Sequence, residues 1–424
     1  MIGFLRRQLG STAGALKGFK GNARAIAVTE PFFGIPYSLV STYSSVYMFA
    51  LGCSTEQIGL ISSVGLVLSM VLSLAGGSIT DRLGRRRTTL VFDLLSWGGG
   101  TLLWALSRNF TWFLVAAIVN STVRIVQTSW RCLMIEDTPQ EQRVHVYVWI
   151  YIVDVVAGLI APVAGLFVEH FGLVHAMRGL YLFAFAVMVG MFLVRNTMLH
   201  ETAIGLVKLR EARRASLRDT LSDYARVAAR LMRSPLTLAA FLLSTLISIQ
   251  DVLKTTFLAI LLTKGLSFSD ASIAIFPALG AAATILMYLL VLPSLSGRKA
   301  AVPLLIGLAI SAAGVLLLVI CPARSYIIVI ISTVLTYGGA AIIIPHSDTL
   351  VANTVQENDR SKALSIFYVL FFALSSPFGY IGGRLFDISN RLPYILAGCI
   401  LLLCLLLCLL IPWLEKKQAR QEKS

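Results

Sequence analysis

The sequence predicts an all-α integral membrane protein whose helices form two pseudo-symmetric six-helix bundles. The composition supports this fold class, because 57% of the 424 residues are hydrophobic and only 13% are charged. Soluble proteins contain about 45–50% apolar and about 25% charged residues. The apolar residues also occur in long blocks, and a helix needs about 20 of them to cross a bilayer. A lipid bilayer is therefore the expected environment of most of the chain.

About twelve apolar blocks are long enough to be transmembrane helices. They cover residues 25–51, 55–80, 88–107, 110–136, 144–169, 176–198, 235–262, 269–294, 301–321, 325–350, 361–384 and 391–413. Most blocks end at charges or turn residues, such as Arg108-Asn109 and Pro322-Ala323-Arg324. The first block is longer than the apolar core of a signal peptide and no clear cleavage site follows it, so we expect it to be a span.

The basic residues indicate the orientation of the helices. The net charge is +15, and Lys and Arg cluster in segments on the N-terminal side of the membrane, such as 82–87 and 200–234. The positive-inside rule then predicts a multi-pass protein of the cell membrane with both termini in the cytoplasm. This topology explains the positive charge without a nucleic-acid partner, which would need a basic face on a soluble domain.

We expect five regions along the chain: a basic interfacial segment (1–24), an N-terminal bundle (25–199), a cytoplasmic amphipathic linker (200–234), a C-terminal bundle (235–413) and a basic cytoplasmic tail (414–424). The two bundles look like weak repeats. Thr138-Pro139-Gln140-Glu141 follows the fourth block, and Thr354-Val355-Gln356-Glu357 follows the tenth. Pro162 and Pro377 hold corresponding places beside glycines in the fifth and eleventh blocks. Internal repeats of this kind are typical of secondary transporters.

The loop after the second block contains glycines, an acid and arginines at fixed spacing: Gly77, Asp81, Arg82, Gly84, Arg85 and Arg86. This pattern resembles the signature loop of the major facilitator superfamily. A loop on the positive side of a membrane would explain the arginines, but not Asp81 and the two glycines at these spacings. At the corresponding place the second half has only Ser296-Gly297-Arg298-Lys299, without an acid.

The resemblance implies two bundles that rock about a central cavity and expose a small-molecule substrate to each side of the membrane in turn. It also implies that the second and eleventh helices meet where the cytoplasmic side closes. Small residues four apart allow close packing: Gly65, Ser69 and Ser73 in the second helix, and Ser375, Gly379 and Gly383 in the eleventh. Asp81 would then lie near the N-terminus of the eleventh helix, and Arg85 would pair with Glu136 or Asp137 to complete a conformational latch.

The fourth block contains Arg124 and Gln127, which resemble the RxxQG motif of drug/proton antiporters, although Thr128 replaces the glycine. An arginine at the centre of a membrane costs at least about 2.5 kcal/mol, so it normally faces a wet cavity or a partner. Asn120 extends the same polar face. We therefore place a substrate or proton cavity beside these residues. The alternative is a structural arginine that pairs with a carboxylate or a backbone carbonyl.

Four carboxylates lie in or near apolar blocks: Glu30, Asp93, Asp154 and Asp251. Burial favours the neutral form of a carboxylate, so these residues are candidate proton sites. For Asp93 we expect instead a structural ion pair with the loop arginines. Asp251 and Lys254 are three residues apart beside Gln250, and either neutralise one another or bind polar groups of a substrate.

These features predict a secondary active transporter of a small solute, with protons as the coupling ion and antiport efflux of drugs or metabolites as the first expectation. Sugar or other nutrient uptake and lipid flipping remain alternatives, and a membrane sensor without transport is the alternative of a different class. The sequence has no GxxxxGK[ST] loop and no nucleophile–base cluster, so neither ATP use nor enzymatic activity is expected. The six cysteines form no CxxC pair, and we expect no metal, no cofactor and a monomer.

Overall fold

A computed structural model of the chain describes residues 18–211, 234–295, 301–354 and 360–421. Regular structure within these ranges is helical. Eleven of the described helices are long and apolar enough to cross a membrane. The chain is thus a multi-pass membrane protein, as the hydropathy pattern predicts.

The helices are numbered α1 to α12 in chain order. In the N-terminal half they are α1 (three segments, Gly21–Thr29, Pro31–Ser41 and Ser44–Ala50), α2 (Thr55–Leu83), α3 (Arg85–Leu106), α4 (Phe110–Ile135), α5 (Gln140–Gly158 and Pro162–Phe171) and α6 (Leu173–Met198). A short linker helix, Ala203–Glu211, follows. The C-terminal half contains α7 (Pro235–Gly265), α8 (Ser272–Leu295), α9 (Ala301–Ile320), α10 (Tyr326–Asn353), α11 (Arg360–Ile388) and α12 (Leu392–Gln421).

The predicted first span is present as the segmented helix α1. Pro31 and Pro36 lack the backbone N–H that would continue the helical hydrogen bonds. The Ala27 carbonyl, which residue 31 would otherwise bond, accepts the indole N–H of Trp149 at 2.9 Å. A side chain of α5 therefore satisfies the carbonyl that the proline leaves open, and α1 bends without exposing it.

Three predicted regions extend beyond what the structure describes. The residues outside it are 1–17 of the N-terminal segment, 212–233 of the predicted amphipathic linker and 422–424 of the predicted tail. At the other end of the chain, α12 continues to Gln421 and so includes most of the predicted tail. Near its middle α12 exposes Leu402, Leu406 and Leu409, which is the expected surface of a helix that faces lipid.

Successive helices run in opposite directions, so the loops lie at two ends of the molecule. We call one the basic end, because it contains Arg82, Gly84 and the linker helix. The other is the short-loop end, with the connections at residues 51–54, 107–109, 321–325 and 389–391.

The two halves meet most closely where α2 and α11 approach the short-loop end. A Cβ atom on Gly379 would lie 2.7 Å from the Gly59 carbonyl oxygen, and one on Gly383 would lie 2.5 Å from the Thr55 carbonyl oxygen. Both distances are too short for any side chain, so glycine is required for this contact. We call this contact between α2 and α11 the seam. The backbone N–H of Tyr380 also donates to Ser63 Oγ across it at 2.8 Å.

This seam differs from the one expected on α2. A Cβ atom on Gly65 or Gly77 would meet no atom within 4 Å, so neither glycine is in tight packing in this conformation. Ser69 is buried and its carbonyl accepts the Ser73 hydroxyl at 2.6 Å. The contact with α11 uses Thr55, Gly59 and Ser63 instead, because the helices converge at the short-loop end rather than at the basic end.

Candidate functional site

The guanidinium of Arg124, in the middle of α4, lies 4.5 Å from the centre of the Phe372 ring in α11. Its Nη1 also donates to Gln127 Oε1, one turn along α4, at 2.8 Å. The Gln127 side chain is exposed although it is at mid-span. Arg124 therefore reaches from the N-terminal half to the C-terminal half at the depth where a wet cavity is expected.

Asp154 and Tyr37 continue this polar region within the N-terminal half. The Asp154 carboxylate faces α1, since a Cβ atom on Gly34 would lie 3.7 Å from its Oδ1. Tyr37 lies within electrostatic range of both Asp154 and Arg124, and its side chain is 44% exposed. A cationic and an anionic group thus both lie near one accessible tyrosine.

The C-terminal half contributes an ion pair on α7. Lys254 Nζ lies 3.2 Å from Asp251 Oδ1 and 5.4 Å from the ring centre of Tyr337 in α10. The Asp251 side chain is 58% exposed, whereas that of Lys254 is 11% exposed. Lys254 is therefore held among protein groups, and the Asp251 carboxylate is the accessible member. The neighbouring Gln250 is buried.

Asn120 lies inside the N-terminal bundle. Its amide donates to the Ser96 carbonyl of α3 at 3.1 Å, and it packs against Gly100. The Ser96 carbonyl belongs to a π-helical stretch, Leu94–Gly99, in which the regular helical hydrogen bonds are displaced. The structure thus gives Asn120 a contact between α3 and α4, rather than one with the polar region around Tyr37.

Arg85 is the centre of an ion cluster at the basic end. It donates to Asp81 Oδ1 at 2.8 Å and lies 3.3 Å from Glu136 Oε2 of α4. The Arg85 side chain is only 5% exposed. Glu136 also accepts the Thr202 hydroxyl. The cluster therefore joins α2, α3, α4 and the start of the linker.

The other residues of the signature loop surround this cluster. Arg86 donates to the Asn196 carbonyl at 2.8 Å, and Arg82 is exposed. Asp137 lies 3.7 Å from the imidazole of His200 rather than beside Arg85. Gly84 has φ +86°, a conformation that side chains other than glycine rarely adopt.

Glu201 is a member of this cluster that the sequence did not indicate. Its carboxylate accepts the backbone N–H groups of Arg85 at 3.0 Å and of Arg86 at 3.1 Å. It thereby caps the N-terminus of α3, where the helix dipole favours a negative charge. A Cβ atom on Gly84 would lie 2.7 Å from this carboxylate, which is a second reason for glycine at that position.

A second polar cluster joins the two halves at the short-loop end. Glu56 of α2 accepts the Tyr380 hydroxyl at 2.8 Å and an N–H of Arg384 at 3.0 Å, both from α11. Thr55 donates to Asp387 beside them. We call these five residues the short-loop clasp. Sequence analysis did not predict this clasp, because its partners on α2 and α11 are more than about 300 positions apart in the chain.

The helices α5 and α8 form another contact between the halves. A Cβ atom on Gly165 would lie 2.5 Å from the Ala271 carbonyl oxygen near the short-loop end. Toward the basic end, the rings of Tyr151 and Tyr288 meet edge to face with centres 5.2 Å apart. Pro162 starts the second segment of α5 between these two contacts.

Two further residues predicted to pack between helices lie in α11. Pro377 lies within this helix. Ser375 donates to Ser248 of α7 at 3.2 Å.

The prediction for the partner of Asp93 was wrong. Asp93 forms a buried ion pair with Arg195 of α6 rather than with the loop arginines. Arg85 and Arg86 are engaged elsewhere, and Asp93 is more than two turns from the start of α3. Glu30 is buried close to this pair.

A helical chain whose two halves surround charged side chains at mid-span has the architecture of a membrane transporter. The chain belongs to the Major Facilitator Superfamily, whose family model matches residues 32–303 and 295–424. No curated protein matches the sequence.

Several solved structures share this fold. A POT family transporter in complex with 5-aminolevulinic acid has a TM-score of 0.72 at 16% identity, over 92% of this chain and 96% of that one. The nucleoside transporter NupG has a TM-score of 0.69 at 14% identity, over 94% and 100%. A mutant of the peptide transporter POT in complex with alafosfalin has a TM-score of 0.70 at 16% identity, over 92% and 94%. At these identities the likeness concerns the fold alone.

Proposed function

We propose that the protein is a proton-coupled transporter that moves a small zwitterionic solute by alternating access. The observation that carries this proposal is that two opposite charges, those of Arg124 and Asp154, both lie within electrostatic range of the accessible Tyr37. Arg124 would bind an acidic group of the solute, and Asp154 an amino group. The Phe372 ring adds an apolar wall from the other half.

The solved neighbours support a polar solute. They include peptide and nucleoside transporters, and one of them holds 5-aminolevulinic acid, an amino acid by its name. An apolar drug offers no group that could pair with Arg124 or Asp154, and it would displace the water that solvates their charges, which costs free energy. We therefore favour uptake of a polar nutrient over the efflux that the RxxQ resemblance suggested.

The orientation is part of the proposal. The concentration of arginines at the basic end favours its location in the cytoplasm of a cell whose plasma membrane holds the protein. The short-loop clasp then joins the halves on the outer side, so the polar region is accessible from the cytoplasm in this conformation. Breaking the clasp and bringing the basic ends together would expose it to the outside.

The test is solute flux into proteoliposomes that contain the purified protein. 5-Aminolevulinic acid, alanyl-alanine, uridine and ethidium serve as probes, each with the proton gradient in either direction. We expect 5-aminolevulinic acid or alanyl-alanine to accumulate when protons flow inward. Ethidium extrusion against the gradient would favour the antiport alternative, and binding of a probe without any flux would indicate a sensor.

Two variants test whether the solute binds at Arg124 and Asp154. We expect Arg124→Ala and Asp154→Asn each to weaken binding of the transported probe at least tenfold in a thermal-shift titration, because a charge-assisted hydrogen bond contributes about 1.5–3 kcal/mol. Glu169→Gln is the matched control, since it removes an exposed carboxylate at the end of α5. Unchanged binding in both cavity variants would place the site elsewhere.

A further inference from the structure

Glu30 lies in a buried cluster that has more negative than positive groups. The residue is 6% exposed, and its Oε2 has no hydrogen-bond partner among the described residues. It follows the first segment of α1, directly before Pro31. An ionised carboxylate with an unsatisfied oxygen in such a place costs several kcal/mol, so a structural role alone does not explain it.

The charged groups within electrostatic range of Glu30 come from three other helices. They are Arg195 of α6, Asp93 of α3 and Asp154 of α5. Helix α4 packs against the first segment of α1, which precedes Glu30, through the apolar Leu133 and Met134. Arg195 and Asp93 already form an ion pair in which both side chains are 4% exposed. One guanidinium therefore neutralises one carboxylate, and the second buried carboxylate is left over.

We infer that Glu30, with Asp93 and Arg195, forms the binding site of the coupling proton, apart from the solute site at Arg124. A proton taken from water adds to Glu30 Oε2, and the three-residue cluster then has no net charge. Loss of the proton leaves a buried negative charge, which favours a conformation that lets water or Arg195 reach Glu30. This inference rests on the proposed proton coupling, and it assigns that role to one cluster.

The position of Glu30 suits a link between proton and solute. It lies about two turns from Tyr37 on the same bent helix, and Asp154 is within electrostatic range of both residues. Pro31 has no N–H, and the Ala27 carbonyl is bonded to Trp149 of α5 instead. A change of charge at Glu30 therefore acts at a bend in α1 that already depends on α5.

The test measures the proton itself and needs no solute. Infrared difference spectra of the purified protein, recorded between neutral and alkaline pH, report the carbonyl stretch of protonated carboxylic acids. We expect the wild-type protein and the Glu169→Gln control to show a band that disappears at alkaline pH. Glu30→Gln should lack this band, with an unchanged unfolding temperature as evidence of folding.

Asp93→Asn provides an independent test of the same inference. It frees Arg195 to pair with Glu30, so the cluster no longer needs a proton and the band should again be lost. A band that persists in Glu30→Gln would overturn the inference. A band that is lost only in Asp154→Asn would place the proton in the solute cavity and would also overturn it.

Transport measurements distinguish a failure of this inference from a failure of the proposed function. If the wild type moves none of the four probes, the proposed function fails whatever the infrared band shows. If it accumulates a probe and Glu30→Gln does so equally, with the same proton dependence, the coupling role of Glu30 fails alone. We expect Glu30→Gln to keep exchange of the probe across the membrane and to lose at least about 90% of its proton-driven accumulation, a tenfold effect.

Discussion

Arg85 shows how a single loop residue can depend on three separate parts of the chain. Its guanidinium lies between Asp81 and Glu136, and its backbone N–H is bonded to Glu201. The two carboxylates differ in exposure, because the side chain of Asp81 is 37% exposed and that of Glu136 is 11% exposed. Their loss should therefore have different consequences.

Glu136→Gln should reduce stability more than Asp81→Asn does. Removing one partner of a buried ion pair costs about 3–5 kcal/mol, whereas an exposed pair contributes about 1 kcal/mol or less. Thermal unfolding in detergent measures the difference. Equal unfolding temperatures for the two variants would show that Arg85 does not depend mainly on the buried carboxylate.

Asp81→Asn should instead affect transport. If the ion cluster favours one of two conformations by about 1 kcal/mol, losing it changes their ratio about fivefold. We expect flux to fall at least about fivefold with little change in expression or unfolding temperature. Arg82→Gln, at an exposed position of the same loop, is the control. Full flux in Asp81→Asn would end the idea of a latch.

Glu201→Gln tests the helix cap that the structure revealed. A neutral amide accepts hydrogen bonds more weakly than a carboxylate at a helix N-terminus, so we expect a loss of about 1 kcal/mol in the free energy of unfolding. Glu211→Gln is the matched control, because within the part of the chain that the structure describes Glu211 pairs with Lys208 at the surface of the linker helix. An unfolding temperature that changes equally in both variants would argue against the cap.

Sequence spacing located the pair of Asp81 and Arg85, because both residues belong to one short motif. It did not locate Glu201, which lies 116 positions after Arg85 and reaches it only when α3 and α6 are adjacent. The same limit explains the wrong partner for Asp93. A local charge pattern does not show which distant helix carries the opposite charge.

At the scale of the helices, the seam between α2 and α11 depends on glycine. The four-residue rhythm of small residues predicted this kind of contact for α11, where Gly379 and Gly383 touch α2. On α2 small residues recur at every fourth position on two faces, one that contains Gly59 and one that contains Gly65. Periodicity alone does not say which of these two faces meets α11, so that choice required the structure.

Gly59→Ala and Gly65→Ala should differ in their effect on stability. A methyl group on Gly59 would overlap the Gly379 carbonyl, whereas one on Gly65 would meet no atom within 4 Å. We expect Gly59→Ala to lower the unfolding temperature, because backbone must move to make room. Alanine stabilises a helix by about 1 kcal/mol relative to glycine, so Gly65→Ala should be neutral or stabilising. Equal stability of the two variants would contradict the observed seam.

At the scale of the whole molecule, the apolar blocks were sufficient to predict the membrane fold. Helices α2 to α12 all satisfy the length and hydropathy of a span. The exception is α1, because its prolines divide one apolar block into short helical segments. The solute and the direction of transport depend on a few polar side chains, and hydropathy does not report how those are arranged.

In the proposed mechanism the two halves rock, so that one end of the molecule opens when the other closes. Distances between spin labels test this directly, in a background without the six native cysteines. Labels at Arg108 and Ser389 report on the short-loop end, and labels at Arg87 and Thr349 report on the basic end; all four are exposed. Glu56→Gln weakens the short-loop clasp without adding bulk. Rocking predicts that this substitution lengthens the first distance and shortens the second, whereas two distances that stay constant or lengthen together would contradict it.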